Sequence, residues 1–142
     1  MLGSAGVTET GDIMALEQQG LRVLVVDDSR YVLRAAQSLL ETMPRIGEVV
    51  TAHSGLSAVD LAMKQAFDLV ILDLAMTGVN GLEVARRLRS MARSPRIVMV
   101  SFYDEPEFEA AATAAGADVL IHKPSLGVKL EAIIDALFGP SR

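Results

Sequence analysis

The sequence predicts an α/β fold in which a parallel sheet is covered by helices on both faces, and three observations support this. Five short apolar runs, at Leu21, Glu48, Asp68, Arg96 and Asp118, alternate with stretches whose apolar residues recur at helical spacing. Hydrophobic residues make up 51% of the 142 residues and aromatics only 4%, so the core must be aliphatic, as Val/Ile/Leu strands under Ala/Leu helices provide. The run Asp68-Leu-Val-Ile-Leu-Asp73 holds four consecutive apolar residues, two of them β-branched, as a strand buried on both faces does. Alternating strands and helices need right-handed crossovers, which build a parallel sheet. The length suits one domain with a single core.

Residues 1–20 read as a flexible leader, rich in Gly, Ser and Thr and then carrying Ile13, Met14 and Leu16 in a stretch too short for a stable isolated helix. Leu21 to Val26 is the first strand and ends in Asp27-Asp28-Ser29; Val32, Ala36, Leu39, Leu40 and Met43 then mark a helix running toward Pro44. Glu48 to Ala52 is the second strand, Ser54-Gly55 starts the next helix, and Val59, Ala62, Met63 and Ala66 form its buried stripe. Asp68 to Leu72 is the third strand, followed by the loop Leu74 to Gly81, where Gly78 and Gly81 serve turn geometry and helix entry. Leu82, Ala85, Leu88 and Met91 mark the third helix, whose Arg86, Arg87 and Arg89 read as a solvated face. Pro95 precedes the fourth strand, Arg96 to Ser101; an Ala-rich helix with Phe108 in the core then ends at Gly116 as its C-terminal cap. Asp118 to His122 is the fifth strand, and Lys123-Pro124-Ser125 leads into a last helix with Leu126, Leu130, Ile133, Ile134 and Leu137 on its apolar side. The domain is expected over residues 21–138, with 139–142 a tail or the stub of a linker to a missing effector.

Composition narrows the function. A net charge of −5 gives no electrostatic reason for this chain to bind nucleic acid directly. The absence of cysteine excludes disulfides, thiol nucleophiles and thiolate metal sites. No leader of secretory type and no apolar run of membrane-spanning length is present, so a cytoplasmic protein without a membrane segment is expected.

In a parallel sheet the carboxyl ends of the strands share one edge. Strand one delivers Asp27 and Asp28, strand three Asp73, strand four Ser101 and strand five Lys123. Two carboxylates about 5 Å apart repel by roughly 3 kcal/mol at an effective dielectric near 20, so something must neutralise the set. Lys123 supplies one positive charge and a hard divalent cation would supply the rest. Oxygen-only ligands favour Mg²⁺, with Mn²⁺ possible, over zinc. The implied chemistry is phosphoryl transfer to Asp73, with Ser101 and Lys123 holding phosphoryl oxygens. Taken singly, Asp28 or Ser29 reads as a helix cap, Ser101 as a strand end and Lys123 as a turn residue. His53 and His122 lack partners at metal spacing and read as surface residues.

Over Leu21 to Phe138 the sequence resembles the receiver domain of two-component response regulators. The resemblance rests on Val25-Val26-Asp27-Asp28-Ser29, Leu72-Asp73 with Met76 and Gly81, Ser101, Ala115-Gly116-Ala117-Asp118, and Lys123-Pro124. It implies a flavodoxin-like (βα)5 doubly wound sheet of strand order 2-1-3-4-5. It also implies phosphorylation of Asp73 by a histidine kinase or phosphotransfer protein, and Mg²⁺ held by Asp28, Asp73 and the backbone carbonyl of Ala75, with Asp27 acting through water. Lys123 is implied to pair with the phosphoryl group, the Lys123–Pro124 bond to be cis, and the output to be a switch of the surface formed by the fourth helix, fifth strand and fifth helix, where a homodimer is possible.

Four positions depart from the family pattern. Thr77 stands where proline is usual, Ala75 where a polar residue is frequent, and Phe102 where a small residue is common. Leu120 replaces the aromatic residue that usually changes rotamer with Ser101. Without a polar side chain at Ala75 to orient water, and with Phe102 crowding the site, the aspartyl phosphate is expected to hydrolyse slowly; Tyr103 could offset this by reaching the site. Two alternatives are a haloacid-dehalogenase-like phosphatase and an unphosphorylated docking module. The first needs a general acid two residues after the nucleophile, where Ala75 stands. The reading is of a signalling phosphoacceptor that catalyses only its own modification, not an enzyme acting on other substrates.

Overall fold

The computed structural model describes residues 20–140; the expected leader, Gly20 apart, and the last two residues of the expected tail lie outside them. The order is β1 (Leu21–Val26), α1 (Arg30–Glu41), β2 (Ile46–Ala52), α2 (Gly55–Lys64), β3 (Leu69–Asp73), α3 (Gly81–Arg89), β4 (Arg96–Ser101), α4 (Pro106–Ala115), β5 (Val119–His122), a 3-10 turn (Lys123–Ser125) and α5 (Leu126–Phe138). All strand pairs are parallel, in the order β2-β1-β3-β4-β5. The alternating pattern predicts the parallel sheet, and the order is the flavodoxin-like one that the resemblance implies.

The two-residue period of the strands makes two cores. Leu24, Val26, Val70, Leu72, Ile97 and Met99 face α2, α3 and α4, where Ala58, Val84, Leu88 and Ala112 meet them. Val23, Val25, Leu69, Ile71, Val98 and Val100 face the other way, onto Leu33, Ala36 and Leu40 of α1 and Leu130 and Ile134 of α5. Helices begin where side chains satisfy free amides: Ser29 Oγ accepts from the Val32 amide at 3.3 Å, Ser54 Oγ from Ser57 at 3.1 Å, and Asn80 Oδ1 from Glu83 at 3.0 Å. Gly116, in the left-handed region at φ 107°, closes α4.

Three expectations are corrected. Met63 is 73% exposed: it lies in the last turn of α2, whose buried residues, Gly55, Ala58 and Val59, all belong to its first half. Arg89 is half-buried while Arg86 and Arg87 remain on the exposed side of α3, paired with Glu83. Its guanidinium donates to the Gly116 carbonyl at 2.9 Å, to Ser94 Oγ at 3.0 Å and to Asp118 Oδ2 at 3.0 Å. Asp118 also accepts from the Ile97 amide at 2.7 Å and from Arg96 at 2.9 Å. Burial pushes the Asp118 carboxyl up, but the amide and the two guanidinium groups outweigh it and hold it below its usual value. Finally, the Lys123–Pro124 bond is trans, since no cis peptide occurs among the described residues. Pro124 sits in the 3-10 turn ahead of α5, where a missing amide hydrogen costs no bond and the intrinsic trans preference prevails.

Candidate functional site

The chain leaves β1 for β2 on one side of it and returns to β3 on the other, so a crevice opens at the carboxyl ends of β1 and β3. Asp27 follows β1, its amide donating to the Ala52 carbonyl at 3.1 Å, and Asp73 is the last residue of β3. The exit of β3 is fixed by the Leu74 amide, which donates to the Val100 carbonyl at 2.8 Å. Gly81 closes the following loop through its amide, 3.0 Å from the Leu74 carbonyl. A side chain at this glycine would place a Cβ 2.3 Å from the Asp73 carbonyl oxygen, so the loop can return this tightly only over glycine.

Asp27 and Asp73 are buried, 2% and 4% exposed, whereas Asp28 is exposed. One carboxylate oxygen from each of the three lies within 4.8 Å of the others. Lys123 Nζ stands 2.7 Å from Asp27 Oδ2 and 3.2 Å from Asp73 Oδ2. The Asp73 contact is a hydrogen bond; the Asp27 contact is an ion pair that leaves the buried Oδ2 without a hydrogen bond of good geometry. Asp27 Oδ1 accepts from the Ser29 amide at 2.8 Å, and Asp73 Oδ1 from the Ala75 amide at 3.2 Å. Burial and then the neighbouring Asp27 charge push the Asp73 carboxyl up, and Lys123 opposes them only in part. Burial would lower the Lys123 ammonium, but Asp27 and Asp73 hold it above its usual value.

Asp27, Asp28, Asp73 and Lys123 line one open cleft of about 460 Å³, together with Ala75, Phe102 and Tyr103. The Phe102 ring, 65% exposed, lies with its centroid 5.1 Å from Lys123 Nζ. Tyr103 stacks on Phe108 at 4.8 Å between centroids, so this half-buried Phe108 packs beside the site loop as well as on the core. Ser101, 1% exposed, does not line the cleft, and its hydroxyl accepts from the Tyr103 amide at 2.8 Å. Leu120 is half-buried against the core that α2, α3 and α4 cover. His53 and His122 are exposed.

The donor set suits a hard divalent cation: three carboxylates converge with no imidazole or thiolate among the residues that line the cleft, and a single ammonium, that of Lys123, faces them. Sequence reasoning did not find the hold that Thr77 has on Asp28. The Thr77 amide and hydroxyl both donate to Asp28 Oδ2, at 3.3 Å and 3.2 Å. The two residues are 49 positions apart on different loops, and no spacing rule signals such a contact.

The family model of the response regulator receiver domain matches residues 23–135. A protein-glutamate methylesterase/protein-glutamine glutaminase of Myxococcus xanthus is 40% identical over 106 residues, covering 74% of this chain and 30% of that protein. The nitrate/nitrite response regulator protein NarP of Escherichia coli is 36% identical over 118 residues, 82% of this chain and 55% of NarP. The chain thus spans about a third of the first relative and about half of the second. Among solved structures, the chemotaxis protein CheY4 of Vibrio cholerae matches with a TM-score of 0.75 at 28% identity, covering 84% of this chain and 99% of CheY4. The response regulator domain of Thermotoga maritima CheB matches with a TM-score of 0.77 at 26% identity, covering 87% and 99%. With the family model matched over residues 23–135 and the fold shared with these solved structures, the chain belongs to the response regulator receiver domain family.

Proposed function

We propose that Asp73 accepts a phosphoryl group from the phosphohistidine of a histidine kinase or phosphotransfer protein in the cytoplasm. The observation that carries this reading is the buried Asp73 carboxylate in an open cleft, 3.2 Å from Lys123 and ringed by the oxygens of Asp27 and Asp28. In the transfer a carboxylate oxygen of Asp73 forms a bond to phosphorus while the phosphorus–nitrogen bond breaks, and the released imidazole takes up a proton. Asp27, Asp28, Asp73 and the backbone carbonyl of Ala75 would hold Mg²⁺, or Mn²⁺, which when bound neutralises negative charge on the carboxylates and the phosphoryl oxygens. Lys123 pairs with a phosphoryl oxygen, and the Ala75 amide keeps Asp73 Oδ1 in place.

Ser101 reaches the phosphoryl group only if its loop turns inward, because its hydroxyl is held by the Tyr103 amide. That motion pulls Tyr103 and, through the stack, Phe108, and so carries the signal to α4 and to Leu120 on β5. The α4-β5-α5 surface is where we place the output. No helix of the described residues is long and apolar enough to cross a membrane.

The test is intact mass after incubation with acetyl phosphate and Mg²⁺, for the wild type and for Asp73→Asn. The wild type should gain the mass of one phosphoryl group and the variant none. No gain in the wild type, or an equal gain in the variant, overturns the assignment.

A further inference from the structure

We infer that Thr77 is a positioning residue for the metal-binding site, holding the Asp28 carboxylate through two hydrogen bonds to its Oδ2. The inference rests on the proposed role of Asp28 as a ligand and adds a residue to it.

The three carboxylates of the site are held in unequal ways. Asp27 and Asp73 are buried, each fixed by a backbone amide and by Lys123. Asp28 is exposed and faces two neighbours of its own charge, so on its own it would turn outward into water. Among the described residues only Thr77 donates to it, by amide and hydroxyl together, at 3.3 Å and 3.2 Å. Both donors converge on one oxygen, which fixes the carboxylate while one of its oxygens stays within 4.8 Å of those of Asp27 and Asp73. Hydrogen bonds of this kind orient a ligand before the ion arrives and reduce what must be ordered on binding. Proline, the usual residue here in the family that the sequence resembles, has neither an amide hydrogen nor a hydroxyl and can make neither bond. In this chain the loop after β3 therefore clamps the loop after β1, across the crevice where the ion would sit.

The experiment is a Mg²⁺ titration without phosphodonor, followed by two-dimensional amide NMR on wild type, Thr77→Val, Thr77→Ser and Thr77→Pro. Amide positions far from the cleft report that each variant is folded. Thr77→Val, which loses the hydroxyl alone, should weaken Mg²⁺ binding about threefold, and Thr77→Pro, which loses both donors, about tenfold or more. Thr77→Ser, which keeps both, should stay within about twofold of the wild type. Should Thr77→Pro not fold, the Val and Ser pair decides the matter. Binding by Thr77→Val as tight as wild type overturns the inference alone, as does a Thr77→Ser variant as weak as Thr77→Val. A wild type with no saturable response to Mg²⁺ overturns the metal reading beneath it as well.

Discussion

Replacing Lys123 with methionine removes the cation that faces Asp27 and Asp73 while keeping most of the side-chain volume. At 2.7 Å and 3.2 Å the two attractions amount to about 6 and about 5 kcal/mol at an effective dielectric near 20. Desolvation of the ammonium offsets much of this, and breaking a buried pair by removing one partner costs about 3–5 kcal/mol net. Lys123 keeps 11% of its side chain exposed, so the lower end, about 3 kcal/mol, is expected. For a domain of this size that is a fall in Tm of about 12 °C. The assay is urea and thermal unfolding in metal-free buffer, repeated with Mg²⁺. If the ion supplies the charge that the lysine supplied, the variant gains more from Mg²⁺ than the wild type, and the gap narrows by about 1–2 kcal/mol. The sign of the pH dependence follows from the raised Lys123 value. Its contribution is fully present below the ordinary lysine value and is lost as pH rises through the raised one, so the gap closes at strongly alkaline pH. A loss under about 1 kcal/mol, or a gap that Mg²⁺ leaves untouched, would refute the reasoning.

Two further outcomes are expected. Gly81→Ala sets a Cβ 2.3 Å from the Asp73 carbonyl oxygen and 2.8 Å from Leu74 Cα, backbone atoms with nowhere to move, so the urea midpoint should fall by the equivalent of about 2–3 kcal/mol and phosphorylation with it; an unchanged midpoint would contradict the packing. Ala75→Asn, which adds a polar side chain able to orient water beside Asp73, should speed loss of phosphate from the labelled protein roughly tenfold, and equal or slower decay would show that Ala75 does not set the lifetime.

The fold was legible because its strands are aliphatic and buried on both faces, which leaves a strong periodic trace. Boundaries were less so: β2 begins at Ile46 rather than Glu48, because Ile46 pairs with Leu21 across an irregularity in the register. The site was legible as a set of strand-end residues, and Asp27, Asp28, Asp73 and Lys123 do share one cleft. What they touch was not. The hydroxyl of Ser101, expected to hold a phosphoryl oxygen once its loop moves inward, accepts from the Tyr103 amide, a turn contact that no spacing along the strand signals. Helical spacing makes Arg89 look solvated because it reports a face and not the loops that approach it, here the carbonyl of Gly116 and the carboxylate of Asp118.

Chain order and hydrophobic period alone determined that a parallel sheet forms and that three acids and a lysine arrive at one of its edges, since both follow from short-range patterns repeated along the strands. Tertiary structure decided the partners: the pairing of Lys123 with two buried carboxylates, the Phe102 ring above it, the hold of Thr77 on Asp28 and the trans geometry before Pro124. The side-chain contacts among these join loops that lie between 21 residues apart, for Phe102 and Lys123, and 96 apart, for Asp27 and Lys123, and that have no periodicity of their own. Their geometry is set only once the crossovers have packed against the sheet.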